Sequence, residues 1–288
     1  GITMKRALRV LGQDAAVLGA AGADVGALAG IEHWARRSVV VPDGTGIVDM
    51  HVHLGIDRDG HALGADDLVR DLDANGIAAA AAFPADEPGA SGDFREANLR
   101  VCDAATAHPG RIIPFCRVDP AGPFAAVMEE AHRGGARGLK LHPVAQRFRP
   151  ESDACVAAVR LATDMGWPVV FHAGFGARPL GPAFAALLER VPSSRLILAH
   201  GGRGDHRALA AATAAYPDVL FDTSIAALPD LVMLPPERLV FGSDRPYGDH
   251  AQALHLVGAA ARVAGWDAAA LRAVLGGNAR RLLGGVAP

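Results

Sequence analysis

Two short runs, Pro168-Val169-Val170-Phe171-His172 and Leu196-Ile197-Leu198-Ala199-His200, flank a helix-patterned segment over Pro182–Val191. Each run is apolar up to a closing histidine. An unbroken apolar run, rather than an alternating one, fits a parallel strand covered on both faces. The same unit recurs outward in both directions. Further strands are expected at Ile47–His51, Ile77–Phe83, Ile112–Val118, Ala136–Leu141, Val219–Asp222 and Leu239–Gly242. Helices are expected between them at Ala65–Ala74, Phe94–Ala107, Pro123–Arg133, Asp153–Met165 and Asp205–Tyr216. Asn75-Gly76, Gly134-Gly135 and Gly166 stop helices just ahead of strands. Eight β units alternating with helices predict an α/β protein, a (β/α)8 TIM barrel. The rival, a doubly wound open sheet, lacks its nucleotide fingerprint after the first strand. Gly174-Phe175-Gly176 follows the fifth strand, but Pro179 stands where the third glycine belongs.

The chain has 288 residues, 50% hydrophobic and 20% charged, enough to bury a large core. Residues 46–288 read as one barrel domain. Residues 1–45 read as an N-terminal helical extension packed on it, rich in Ala, Gly and Val over residues 13–36. Gly1-Ile2-Thr3, ahead of Met4, reads as a cloning remnant. A formal net charge of −3 creates no field for nucleic acid or an anionic membrane. No apolar run reaches the roughly 18 residues of a membrane helix. Three cysteines, Cys102, Cys116 and Cys155, are too few for a disulfide framework, which points to a reducing cytoplasm. The expected partner is a small-molecule substrate, and the apolar leading segment makes a homodimer plausible.

Barrel active sites form at the C-terminal ends of strands. There the chain carries His51 and His53 on strand 1, Lys140 and His142 on strand 4, His172 on strand 5, His200 on strand 6, Asp222 on strand 7 and Asp244 on strand 8. Side chains alternate along a strand, so His51 and His53 point the same way, about 6.6 Å apart. Two imidazoles so placed reach one ion. Neutral imidazole suits Zn, Fe, Ni or Cu, and an added carboxylate keeps Zn, Mn and Fe open. The other seven histidines, His33, His61, His108, His132, His206, His250 and His255, fall in helices or loops and need no special explanation.

The segments Asp49-Met50-His51-Val52-His53, Gly138-Leu139-Lys140-Leu141-His142-Pro143, Val170-Phe171-His172-Ala173-Gly174, Leu198-Ala199-His200-Gly201-Gly202 and Phe241-Gly242-Ser243-Asp244-Arg245-Pro246 carry a resemblance. So does the tail Gly277–Gly284. Over roughly residues 46–285 the chain resembles the metal-dependent amidohydrolase superfamily, in particular the branch of aminocarboxymuconate semialdehyde decarboxylase and related hydrolases. The resemblance implies one divalent ion, zinc first and manganese or iron next, held by His51, His53, His172 and Asp244. It implies that Asp244 accepts a proton from an activated water and that His200 hydrogen-bonds the water or the substrate carbonyl. Lys140 has three readings: a carbamylated bridge between two metals, as in binuclear relatives, a partner for a carboxylate such as Asp49, or a contact to a substrate anion.

Substrate contacts belong to the loops after the strands. His142 is a candidate there, or a plain turn histidine before Pro143. Arg117, Arg203, Arg245 and Tyr247 are candidates for an anionic or oxygenated substrate. The loop Pro84–Asp93 reads as a lid or as a long surface loop. The first functional reading is hydrolysis of an amide, lactone or ester. The second is non-oxidative decarboxylation of a small unsaturated or aromatic acid. A non-catalytic barrel would be expected to have lost a ligand, and none is lost. A metal-free lactone hydrolase is disfavoured by the same intact set.

Overall fold

The computed structural model describes residues 41–87, 93–174 and 179–285. The first 40 residues of the expected extension lie outside the described residues, as do part of the Pro84–Asp93 loop and of the Gly174-Phe175-Gly176 turn. The eight expected barrel strands are present. They are β1 (Ile47–Ile56), β3 (Ile77–Pro84), the pair β4 (Ile112–Pro114) and β5 (Cys116–Arg117), β6 (Leu139–Leu141), β7 (Val169–Phe171), β8 (Leu196–Leu198), β9 (Val219–Asp222) and β10 (Leu239–Val240). Neighbouring barrel strands pair in parallel. The third strand breaks at Phe115, so its first half pairs with β3 and its second with β6. The first and last strands meet through Met50 N–H to Phe241 O at 2.9 Å and His53 N–H to Arg245 O at 2.7 Å. A two-residue strand missed in the sequence, β2 (Ala62–Leu63), pairs antiparallel with the end of β1. Its signal was Asp59-Gly60, a hairpin-turn pair, between Ile56 and Leu63.

Helices cover the outside: α1 (Ala65–Ala74), α2 (Arg95–Ala107), α3 (Phe124–Arg133), α4 (Asp153–Asp164), α5 (Gly181–Arg190), α6 (His206–Ala212), α7 (Leu228–Val232), α8 (His250–Ala264), α9 (Ala268–Arg272) and α10 (Asn278–Leu282). Local chemistry sets their ends. Asp249 caps α8 by accepting the Gln252 N–H at 3.0 Å, and Ser152 caps α4 through Cys155 N–H. The α4 turn closes at Gly166, whose φ of +71 suits glycine. Among the described residues no helix is long and apolar enough to cross a membrane.

Two apolar layers follow from strand alternation. Ile47, Ala80, Leu139, Val169, Leu196, Val219 and Leu239 face the helices. Val48, Ala79, Ile113, Val170, Ile197, Leu220 and Val240 fill the barrel, with Ala279 and Leu282 of α10 packed against them. In β1 the alternation breaks. From Asp49 to Val52 this strand advances three residues while β3 advances two, from Ala80 to Ala82. This is a β-bulge, and it changes the phase of the strand. Val48 and Met50 lie in the inner cluster, yet beyond the bulge it is His51 and His53 that face inward, with Val52 and Leu54 turned to the helices.

Candidate active site

The two β1 histidines owe their shared direction to regular alternation after the bulge. At the bulge the His51 N–H leaves the ladder and is accepted by Asp49 Oδ1 at 2.9 Å. Strand 8 brings in Asp244 just past β10, on a backbone with φ +59. His200 is likewise held at φ +60 in the turn after β8. Such conformations cost a non-glycine residue about 1–3 kcal/mol and persist only where neighbours enforce them. For Asp244 these are His51 O, accepting its N–H at 2.8 Å, and Gly248 N–H, donating to its carbonyl at 2.8 Å. For His200 it is Asp222 Oδ1, accepting its N–H at 3.0 Å. Gly242 leaves the room this needs: a β-carbon there would stand 3.1 Å from His51 Cβ.

His51, His53 and Asp244 converge. His51 Nε2 lies 3.3 Å from His53 Nε2 and 3.1 Å from Asp244 Oδ1, and His53 Nε2 lies 3.1 Å from that same oxygen. A tetrahedral site with metal–ligand distances of about 2.0–2.1 Å spaces its ligand atoms about 3.3 Å apart, so the three donors fit a divalent ion. Their chemistry agrees. His51 Nδ1–H donates to Asp222 Oδ2 at 2.7 Å, which leaves the lone pair on Nε2, inside the cluster. Buried His53 Nδ1 has no hydrogen-bond partner among the described residues, so Nε2 is the anchored end of that ring.

Beside His51, with ring centroids 5.2 Å apart, His200 Nδ1 lies 3.0 Å from the Ser224 carbonyl and donates to it. Its Nε2 is then an acceptor for His172 Nδ1–H at 3.2 Å, which leaves the acceptor lone pair of the His172 ring on Nε2. His172 lines the cavity next to His200, outside the three-residue cluster. It stacks on His142 with ring centroids 3.9 Å apart. His142 Nδ1 accepts the Ala145 N–H at 3.1 Å, so Nε2 carries its proton.

Burial sets the electrostatics. It lowers His53 to about 3 and His172 to about 3, so both are neutral donors near neutral pH. Burial and Lys140 push His51 down, but Asp222 and Asp244 together outweigh them and its pKa is raised. Burial opposes ionisation of Asp244, yet His51 and His53 hold its carboxyl well below the usual range. Lys140 is fully buried, lies over the Phe83 ring at 4.7 Å, and is brought down by burial to about 7.

Of the residues read as substrate contacts, Lys140, His142 and Tyr247 line a cavity of about 380 Å³ together with the cluster. Lys140 Nζ stands 3.3 Å from His51 Nε2, and among the described residues no carboxylate lies within ion-pair distance of it. Of the three readings of Lys140, the pairing with Asp49 is corrected: Asp49 is engaged by Ser243 and His250 in the barrel wall. Tyr247 donates its hydroxyl to Asp57 on the β1–β2 turn. Three arginines sit elsewhere. Arg117 is buried behind Asp86, 3.7 Å from its carboxylate and over the Phe94 ring. Arg245 turns outward to Asp71 on α1. Arg203 donates to the Ile225 carbonyl at 3.0 Å. Arg245 is thus tied to a helix outside the cavity, and Arg203 to the backbone of Ile225, a residue of the cavity lining.

The sequence offered no role for Asp222 and only a pairing with Lys140 for Asp49. Each is fully buried and braces the cluster. Asp222 accepts from the His51 ring, from His200 N–H, and from Ser224 N–H and Oγ–H. No local sequence signal reports this, because His51 and Asp222 are 171 residues apart.

An amidohydrolase family model matches residues 48–285. No curated protein matches the chain. Solved structures of similar fold include a zinc-bound amidohydrolase from Burkholderia multivorans, with 20% identity over 83% of this chain and 99% of that one, at a TM-score of 0.65. A 2,6-dihydroxybenzoate decarboxylase from Rhizobium has 15% identity over 83% and 99% of the two chains, with a TM-score of 0.63. A probable 2-pyrone-4,6-dicarboxylic acid hydrolase from Acinetobacter baumannii has 15% identity over 83% and 99%, with a TM-score of 0.59. With the family match spanning nearly the whole barrel and its metal-ready histidines, the chain belongs to the amidohydrolase superfamily.

Proposed function

We propose that the chain is a metal-dependent hydrolase of a small-molecule amide, lactone or ester, working in the cytoplasm with one divalent ion, zinc first and manganese or iron next. The observation that carries this reading is the convergence of His51 Nε2, His53 Nε2 and Asp244 Oδ1, all 3.1–3.3 Å apart, at the wall of a substrate-sized cavity. These three residues would hold the ion, with His172, next to His200 in the cavity lining, as the fourth donor. A bound ion supplies Lewis acidity, bringing the pKa of water towards about 7 and polarising a carbonyl.

The chain's own groups do the rest. Asp222 keeps the His51 ring in the tautomer that offers Nε2. Asp244 accepts the proton of the attacking water on its carboxylate and returns it to the leaving nitrogen or oxygen. His200, fixed through Ser224, holds the His172 ring. His142 Nε2–H, from the cavity lining, and Lys140, whose Nζ stands beside His51, bind substrate oxygens.

A second reading, non-oxidative decarboxylation of a small unsaturated or aromatic carboxylic acid, takes its support from the Rhizobium decarboxylase that shares the barrel. Here the same residues orient a carboxylate, and Asp244 or a histidine delivers a proton to carbon. A turnover screen of amides, lactones and aromatic acids, with zinc or manganese added, separates the two. Release of acid without CO2 is the expected result; CO2 release overturns hydrolysis in favour of the second reading. Elemental analysis of chelator-free protein is expected to find about one ion per chain, and finding none removes both.

A further inference from the structure

A second buried cluster lies in the barrel wall between the first and last strands, and the chemistry above does not use it. Its centre is Asp49, fully buried. Oδ1 of Asp49 accepts the N–H of His51 at 2.9 Å and the N–H of Ser243 at 3.0 Å. Oδ2 accepts Ser243 Oγ–H at 2.5 Å and His250 Nε2–H at 2.9 Å. Two of these donors are main-chain groups of the segments that carry the metal cluster: His51 itself, and the residue before Asp244. The carboxylate thus ties the β1 bulge to the strand 8 turn. His250, on the first turn of α8, is 2% exposed, and its Nδ1 has no hydrogen-bond partner among the described residues. An unpartnered buried nitrogen costs stability, so packing alone gives no reason for an imidazole here. The Nε2–H donated to Asp49 does.

We propose that His250 is a positioning residue that, through Asp49, fixes the 3.1 Å approach of His51 Nε2 to Asp244 Oδ1 and so tunes the affinity of the site for a divalent cation. Without this donor, Oδ2 keeps only the Ser243 hydroxyl, and the carboxylate can rotate off the two N–H groups it holds. The inference rests on the metal site proposed above.

The test compares the full-length wild type with His250→Met and His250→Gln. Both replacements favour helix at least as well as histidine, and only Gln keeps a donor at the Nε2 position. Zinc affinity is read by chelator competition, and thermal midpoints are read with and without zinc. His250→Met is expected to weaken zinc binding about 10–100-fold, the range for partners that orient metal ligands, and His250→Gln to restore most of it. Should His250→Met fail to fold, Ser243→Ala, which removes the other side-chain donor to Oδ2, takes its place, with weaker zinc binding again expected. Wild-type zinc affinity in either donor-deleted variant overturns the positioning role and leaves the metal site standing. Equal loss in Met and Gln variants, with equal lowering of the zinc-free midpoint, also overturns it, since that is what a purely structural histidine gives. A wild-type chain that takes up no zinc or manganese overturns the metal site itself, and this inference with it.

Discussion

The two ends of the barrel interior are built from the same strands and behave in opposite ways. Toward the N-terminal end Val170, Ile197, Leu220 and Val240 pack together over α10. Two residues further along their strands, Val170 gives way to His172 and Leu220 to Asp222; just past Val240 comes Asp244. The apolar end gains stability from burial at roughly 25 cal/mol per Å². The polar end buries carboxylates, imidazoles and an amine, each of which costs free energy to desolvate and recovers it only through close partners. The shifts follow that logic: burial first, and nearby basic groups after it, lower His53, His172 and Lys140, while Asp222 and Asp244 stay ionised because imidazoles face them. One end of the barrel holds the fold together; the other is stabilised by it and held ready for a ligand.

The sharpest test of that division is Asp244→Asn. It keeps shape and removes the proton acceptor, so turnover should fall by about 1000-fold while the thermal midpoint moves by only a few degrees. Wild-type rates in this variant break the assignment of chemistry to the polar end. Ile197→Ala probes the other end, where a buried Ile or Leu cut to Ala costs about 2–5 kcal/mol. Denaturant unfolding should show that loss with kcat per folded molecule unchanged; a kcat that falls in proportion to stability means the two ends are not separable. Asp222→Asn sits between them. It should weaken zinc binding about 10–100-fold, measured by chelator competition, because the His51 ring loses its ionised partner. Tyr247→Phe, at the rim, removes one hydrogen bond to Asp57 from a side chain 40% exposed. A loss of about 1 kcal/mol and a change in KM larger than in kcat are expected, and a change confined to kcat would move Tyr247 from the rim into the chemistry.

Much of this was legible in the residues. Unbroken apolar runs report strands covered on both faces, glycine stops report the helix ends, and histidines at run ends mark the mouth of the barrel. Asp249 as the cap of α8 was readable too, since capping is a contact within one turn. The β1–β2 hairpin was readable from Asp59-Gly60 but was missed, because two-residue strands leave almost no periodicity. His250 read as an ordinary helix histidine, and its bond to Asp49 spans 201 residues.

The sequence by itself determined that the chain folds as an α/β barrel, that ionisable groups gather at one end, and that His51 and His53 share a face, because these are consequences of local periodicity. Only the tertiary structure decided which of those groups meet. It placed Asp244 against both β1 histidines, gave His172 to His200, paired Arg245 with Asp71 and Arg203 with the Ile225 carbonyl, and set Asp49 and Asp222 as the braces of His51. The reason is physical: a buried polar group must find a partner within about 3 Å, and which partner is that close depends on strand order, the β1 bulge and the strained turns at Asp244 and His200, none of which the chain's local pattern encodes.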